Sequence, residues 1–222
     1  METRRQRSRY SLRASPEFST WVELLRYRGQ YQPEQTAFIF LRDGEQEADK
    51  LTYQALDQQA RRIAGQLQAM GMSGERALLL HPPGLEFIAA FFGCLYAGVV
   101  SVPLYPPRDN HPISRLRAIA ADAQATCLLT TASLVARIEA LSAQSPEWAR
   151  LPVLATDRLA SDGAGAWWPP ALSGDTLAFL QYTSGSTGTP KGVMVSHGNL
   201  LHNEHTIKQA FDHSESTMLV SW

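Results

Sequence analysis

The chain has 222 residues, 44% hydrophobic and 18% charged, with a net charge of −1. That length is enough for one large domain with its own core, and the composition is that of an ordinary soluble globular protein. A charge so near zero leaves no electrostatic case for nucleic acid or an anionic membrane as partner.

The first residues carry Arg4, Arg5, Arg7, Arg9 and Arg13 with no apolar segment behind them, which excludes a secretory signal. Residues 1–17 read as a basic, disordered tail; a transit peptide, also rich in arginine and serine, is the less common explanation. A helix is expected from Phe18 to about Arg28, capped by Ser19 or Thr20, with Trp21, Leu24 and Leu25 on one face. Ala37 to Leu41 reads as a strand, and Asp43-Gly44 as a turn into Lys50-Leu51-Thr52. Thr52 should cap a long helix striped by Leu56, Ile63, Leu67 and Met70 and ended by Gly71. Ala77 to Leu80 is a buried strand. After Pro82-Pro83 comes an apolar helix, Leu85 to Tyr96, then a strand from Val99 to Leu104.

The run from Phe87 to Val102 is shorter than the ~20 residues a membrane span needs, and Gly93 and Gly98 divide it. A buried helix running into a buried strand explains it, so no membrane span is expected. Past Pro106-Pro107, the residues Ile113, Leu116, Ile119 and Ala120 mark an amphipathic helix ending near Gln124, with Arg115 and Arg117 on its solvated face. Thr126 to Thr130 is a strand, Ser133 to about Ala143 a helix, Pro152 to Ala155 a strand, and Ser161 to Asp175 a loop. Cys94 and Cys127 both lie in apolar runs. They read as buried small hydrophobes in a reducing, cytoplasmic compartment, neither a disulfide framework nor a metal site.

The most informative stretch runs from Thr183 to Gly192. Apolar runs flank it, Leu177 to Tyr182 and Val193 to Val195, so a strand enters and a strand leaves. Between them Gly185, Gly188 and Gly192 let the backbone turn its N–H groups toward one anion. Thr183, Ser184, Ser186, Thr187 and Thr189 add hydroxyl donors, and Lys191 adds a mobile positive charge. A flexible linker has a similar composition, but a loop held between two strands that keeps its lysine is suited to binding phosphate. It is not a Walker loop, because Pro190 stands where the glycine before the lysine is required and a strand follows. It is not a hydrolase elbow either, because Ser184 replaces the first glycine of Gly-x-Ser-x-Gly and no helix follows. Asn199 is a candidate cap for a last helix to about Phe211. Strands and helices alternate with short links and the strands are continuously apolar. The fold class is therefore α/β, a mainly parallel sheet covered by helices, with ligands expected at the carboxyl ends of its strands.

The stretch from Phe179 to Leu200 resembles the phosphate-binding motif of the adenylate-forming (AMP-binding) enzymes, a superfamily that includes acyl-CoA synthetases, peptide adenylation domains and fatty acyl-AMP ligases. Three segments are similar to the fatty acyl-AMP ligases in particular: Phe179-Leu180-Gln181-Tyr182; Gly98 to Pro107; and Arg115 to Gln124 followed by Cys127 to Thr131. The resemblance covers Phe18 to Trp222 and implies the N-terminal part of the large domain of such an enzyme. It implies ATP-dependent activation of a fatty acid to an acyl-adenylate, with release of pyrophosphate. The acyl group would pass to the phosphopantetheine thiol of an acyl carrier protein; in a long-chain acyl-CoA synthetase coenzyme A would take that place, and another adenylation domain is a further alternative. ATP and Mg²⁺ are the implied cofactors, and Thr183 to Lys191 would hold the β- and γ-phosphates, with Lys191 catalytic.

Ser221-Trp222 lies just before the place where the family sets its next motif. By that resemblance the adenine and ribose contacts, most of the acyl pocket and a mobile C-terminal domain would follow. A partial adenylation domain over residues 18–222 is thus expected, with exposed core surface and poor solubility. A non-catalytic nucleotide-binding remnant is the alternative of another class. His202 and His205 are expected on a solvated helix face. His197 is expected either at the phosphate or packed at the helix start, and Trp167-Trp168-Pro169-Pro170 as a loop anchored on the core.

Overall fold

The computed structural model describes residues 17–107, 113–142, 148–160, 166–183, 190–214 and 217–221. Helix α1 (Trp21–Tyr31) begins later than Phe18 and continues past Arg28, because Thr20 closes its first turn. The Thr20 hydroxyl accepts from the Glu23 N–H at 3.2 Å, and the Glu23 carboxylate accepts from the backbone N–H groups of Ser19 and Thr20. Strands β1 (Thr36–Arg42) and β2 (Gln46–Thr52) pair antiparallel as a separate two-stranded sheet. Asp43 and Gly44 both sit at positive φ, 54° and 77°, the backbone of a tight hairpin turn that fits the twist of its strands. Thr52 then caps α2 (Tyr53–Ala69) through the Ala55 N–H, and Gly71 at φ 73° leads the chain out.

The main sheet has six strands among the described residues: β3 (Arg76–Leu80), β4 (Val100–Leu104), β5 (Cys127–Thr130), β6 (Val153–Ala155), β7 (Leu177–Thr183) and β8 (Lys191–Ser196), in the order β6-β5-β3-β4-β7-β8. Every pairing is parallel except the last, in which β8 folds back antiparallel on β7. Helices α3 (Leu85–Ala97), α4 (Ser114–Asp122), α5 (Ala132–Ser142) and α6 (His197–Ala210) complete the alternation.

Alternate side chains of each strand enter opposite faces, as the pleat requires. Ala77, Leu79, Cys127 and Leu129 join the core shared with Leu25, Leu56, Ile63, Leu67 and Leu95 of α1, α2 and α3. Leu78, Leu80 and Leu128 join Ile119, Ala120 and Ile138 of α4 and α5 on the other side. Both faces of β3 and β5 are covered, which is why those strands read as continuous apolar runs, whereas Val193 and Met194 of β8 are exposed. Helices α2 and α3 touch at Gly93, where an added Cβ would stand 2.5 Å from the Ile63 Cγ2; only glycine permits that approach. Cys94 and Cys127 are fully buried free thiols in the first core, and burial pushes Cys127 up to about 12 and Cys94 upward as well.

Arg115 is exposed as expected, but Arg117 is half-buried and does not lie on a wholly solvated face. Trp167 donates from its indole N–H to the Tyr96 carbonyl at 2.8 Å, and the Gln68 amide pairs with both backbone groups of Trp168. This loop is anchored on the core, with Trp168 itself half exposed. No helix among the described residues is long and apolar enough to cross a membrane.

The chain steps from β3 to β4 in one direction and then returns past β3 to place β5 on its other side. Helix α3 thus packs on one face and α4 and α5 on the other, an arrangement in which ligands bind at the carboxyl ends of the strands. His81, Tyr105, Thr131 and Thr183 all stand at that edge, each at or just past the end of its strand.

Candidate active site: a hairpin at the carboxyl edge

Thr183 is the last residue of β7 and Lys191 the first of β8, and the two are cross-strand partners. Both are exposed. The antiparallel pairing thus brings a hydroxyl and an ammonium to the same end of the sheet. Ser184, Gly185, Ser186, Thr187, Gly188 and Thr189 lie outside the described residues. The site's geometry is therefore that of its stem.

The stem is built from Tyr182 and Gly192, the next cross-strand pair. A Cβ on Gly192 would lie 2.9 Å from Cζ of the tyrosine ring and 3.1 Å from its hydroxyl oxygen, so the ring lies flat across the glycine backbone. The Tyr182 hydroxyl donates to Oδ2 of Asp122, at the end of α4, at 2.5 Å. Burial first, then the Asp122 carboxylate, push the Tyr182 phenol above its ordinary pKa, so it remains a donor. The composition of the loop marks Gly192 but gives no sign of Asp122, which stands sixty positions away in sequence.

The strand leaving the hairpin runs straight into α6, and the structure corrects the expected cap. Ser196 is the N-cap: its hydroxyl accepts from the Asn199 N–H at 3.2 Å. Asn199 is three residues into the helix, and its side-chain oxygen accepts from the Ser196 N–H in return. The two N–H groups between them donate to the Thr176 and Gly174 carbonyls, from His197 at 3.0 Å and Gly198 at 2.7 Å. The first N–H groups of α6 are all taken by protein acceptors, so this helix start holds no anion. His197 is 1% exposed, and its Nδ1 accepts from the Trp21 N–H at 3.3 Å. Of the two roles open to it, packing at the helix start is the one it has. Burial holds it down at about 4, against a weaker opposite pull from Glu23. His202 and His205 are exposed on α6, as expected.

A second buried histidine stands at the carboxyl edge. His81 Nε2 lies 2.9 Å from the Thr156 hydroxyl, which itself donates to the Thr130 carbonyl. Burial lowers His81 to about 4, and Asp157 opposes this more weakly. Nothing local in the sequence marks His81 or its threonine partner, because neither residue type is unusual beside an apolar strand. A groove of about 710 Å³ is lined by residues including Arg26, Tyr27, Tyr31, Asp57 and Arg61 of α1 and α2 and by no residue of the carboxyl edge. It is separate from the hairpin chemistry.

The chain matches a family model described as AMP-binding enzyme over residues 25–221. The chain is 46% identical over 213 residues to the medium-chain-fatty-acid–[acyl-carrier-protein] ligase JamA of Moorena producens, covering 94% of this chain and 36% of that protein. It is 37% identical over 185 residues to a long-chain-fatty-acid–AMP ligase of Mycobacterium tuberculosis, covering 81% of this chain and 31% of that protein. Among solved structures, a fatty acyl-adenylate ligase from L. pneumophila, in complex with acyl adenylate and pyrophosphate, superposes with a TM-score of 0.82 at 37% identity, over 90% of this chain and 34% of that one. The chain thus spans about a third of the length of the curated relatives it matches. With the hairpin at the carboxyl edge of a mainly parallel sheet and a family match over nearly its whole length, the chain belongs to the AMP-binding enzymes.

Proposed function

We propose that this chain carries the phosphate-cradling part of an enzyme that activates a fatty acid with ATP and hands the acyl group to a carrier-protein phosphopantetheine thiol. The supporting observation is the hairpin stem. Thr183 and Lys191 face each other at the carboxyl edge, in a chain 46% identical to a fatty-acid–[acyl-carrier-protein] ligase.

The chemistry asks for little beyond charge management. A fatty acid carboxylate is already ionised at neutral pH, so no general base is needed. One carboxylate oxygen bonds to the α-phosphorus of ATP, the bond from that phosphorus to the bridging oxygen breaks, and pyrophosphate leaves with the electron pair. Two anions must be brought together and the growing charge on the leaving group stabilised. Thr183, Ser184, Gly185, Ser186, Thr187, Gly188 and Thr189 would supply hydroxyl and backbone donors to the β- and γ-phosphates, and Lys191 would supply the charge. Among the described residues no three His, Cys, Asp or Glu side chains are grouped to hold a metal ion. Mg²⁺ would arrive on the ATP phosphates and offset their charge.

The test is fatty-acid-dependent ATP–pyrophosphate exchange, followed by acyl transfer to a holo-carrier protein or to free coenzyme A. Exchange that needs the fatty acid supports the reading, and its absence in the full-length protein overturns it. Transfer to coenzyme A alone would replace the carrier protein with the free thiol as acceptor.

A further inference from the structure

Strand β7 lies between β4 and β8 in the sheet. Its registered pairing with β4 is at Phe179 and Ser101, reinforced by the Ser101 hydroxyl at the Ala178 carbonyl. Strand β8, the last in the sheet order, is registered with β7 from Leu177 to Thr183. Lys191 therefore stands on an edge strand among the described residues, and side chains of neighbouring elements add to what holds it.

Asp122 is one such side chain. It ends α4, where the backbone carbonyls already gather negative charge and a carboxylate disfavours the helix. Helix stability therefore does not account for it. Its oxygen instead accepts the Tyr182 hydroxyl, and a hydrogen bond to an ionised acceptor is stronger than a neutral one. The tyrosine ring lies over Gly192, the neighbour of Lys191. One side chain thus runs from α4, across β8, to the root of the hairpin.

We propose that Asp122 is a positioning residue for the phosphate hairpin: acting through Tyr182, it ties α4 to the stem and fixes where Lys191 stands. The proposal rests on the nucleotide-activating function above only for its kinetic consequence. Its structural consequence stands apart.

The test uses Asp122→Ala, Tyr182→Phe, their combination, and Asp122→Asn in the full-length protein. Amide hydrogen exchange at residues 191–195, without nucleotide, should quicken in both single variants. With saturating fatty acid, the pyrophosphate-exchange rate should fall by about ten- to a hundredfold, the range expected for a misplacement of about 1 Å, while the KM for fatty acid stays put. The double variant should be no worse than either single one, because both remove the same bond. Asp122→Asn keeps an acceptor oxygen and should recover most of both effects. Tyr182→Phe keeps the ring over Gly192, so it remains informative even if Asp122→Ala folds poorly. Unchanged hydrogen exchange, losses that multiply in the double variant, or losses that track only the melting temperature would each overturn the proposal. Absent pyrophosphate exchange in the unaltered protein would count against the function alone, and hydrogen exchange would still decide the tether.

Discussion

The backbone N–H of Trp21 donates to Nδ1 of His197, joining the first helix to the last across 176 positions of sequence. The bond requires Nδ1 to be unprotonated, and burial enforces this by holding His197 at about 4. His81 is held at about 4 by the same cause. Both folded values lie below the ordinary 6.5. The unfolded chain therefore takes up protons that the fold refuses. The contribution is fully present above about pH 6.5 and is lost as pH falls toward 4, at up to about 1.4 kcal/mol per pH unit for each histidine. Urea denaturation at pH 7 and pH 5.5, above the carboxylate range, should show the lower pH less stable. Equal stability at the two would mean that both rings protonate freely in the folded protein.

Lys191 stands exposed at the start of β8, opposite Thr183. If it stabilises charge on departing pyrophosphate, Lys191→Ala should cut turnover by ~10²–10³ and leave the melting temperature nearly unchanged. A lysine with only a structural role would give near-normal rates. Steady-state pyrophosphate exchange beside a thermal melt separates the two.

The cap of α6 makes a prediction that reverses if Asn199 were the N-cap. Ser196→Ala removes the acceptor for the Asn199 N–H and should cost about 1 kcal/mol. Asn199→Ala removes only the return bond to the Ser196 N–H and should cost less. Thr20→Ala in α1 should behave like Ser196→Ala, because both close the same reciprocal cap. Chemical denaturation of the three variants gives the order directly.

Most elements were legible in the sequence, because their signals are local. The stripe Leu56, Ile63, Leu67 on α2, the Asp43-Gly44 turn and the Thr52 cap each depend on residues a few positions apart. The phosphate role proposed for Thr183 to Lys191 likewise rests on local composition. Continuous apolar runs such as Ala77 to Leu80 announce strands covered on both faces, which leads to a mainly parallel sheet.

Periodicity says that a residue is buried but not what it meets, and there only the tertiary structure decided. Nothing near His197 in the chain shows that its ring faces the Trp21 N–H and not a phosphate. Ser196 and Asn199 are both good capping residues, and the helix starts at His197 because Thr176 and Gly174 take its first N–H groups. Nothing local marks Asp122 as the partner of Tyr182, because the pair is made by the return of α4 over the sheet. The sequence by itself determined which residues form strands, helices and a phosphate-suited loop. The three-dimensional packing determined the strand order that sets Thr183 and Lys191 at the carboxyl edge and the long-range bonds that hold their strands, because such contacts leave no trace in local spacing.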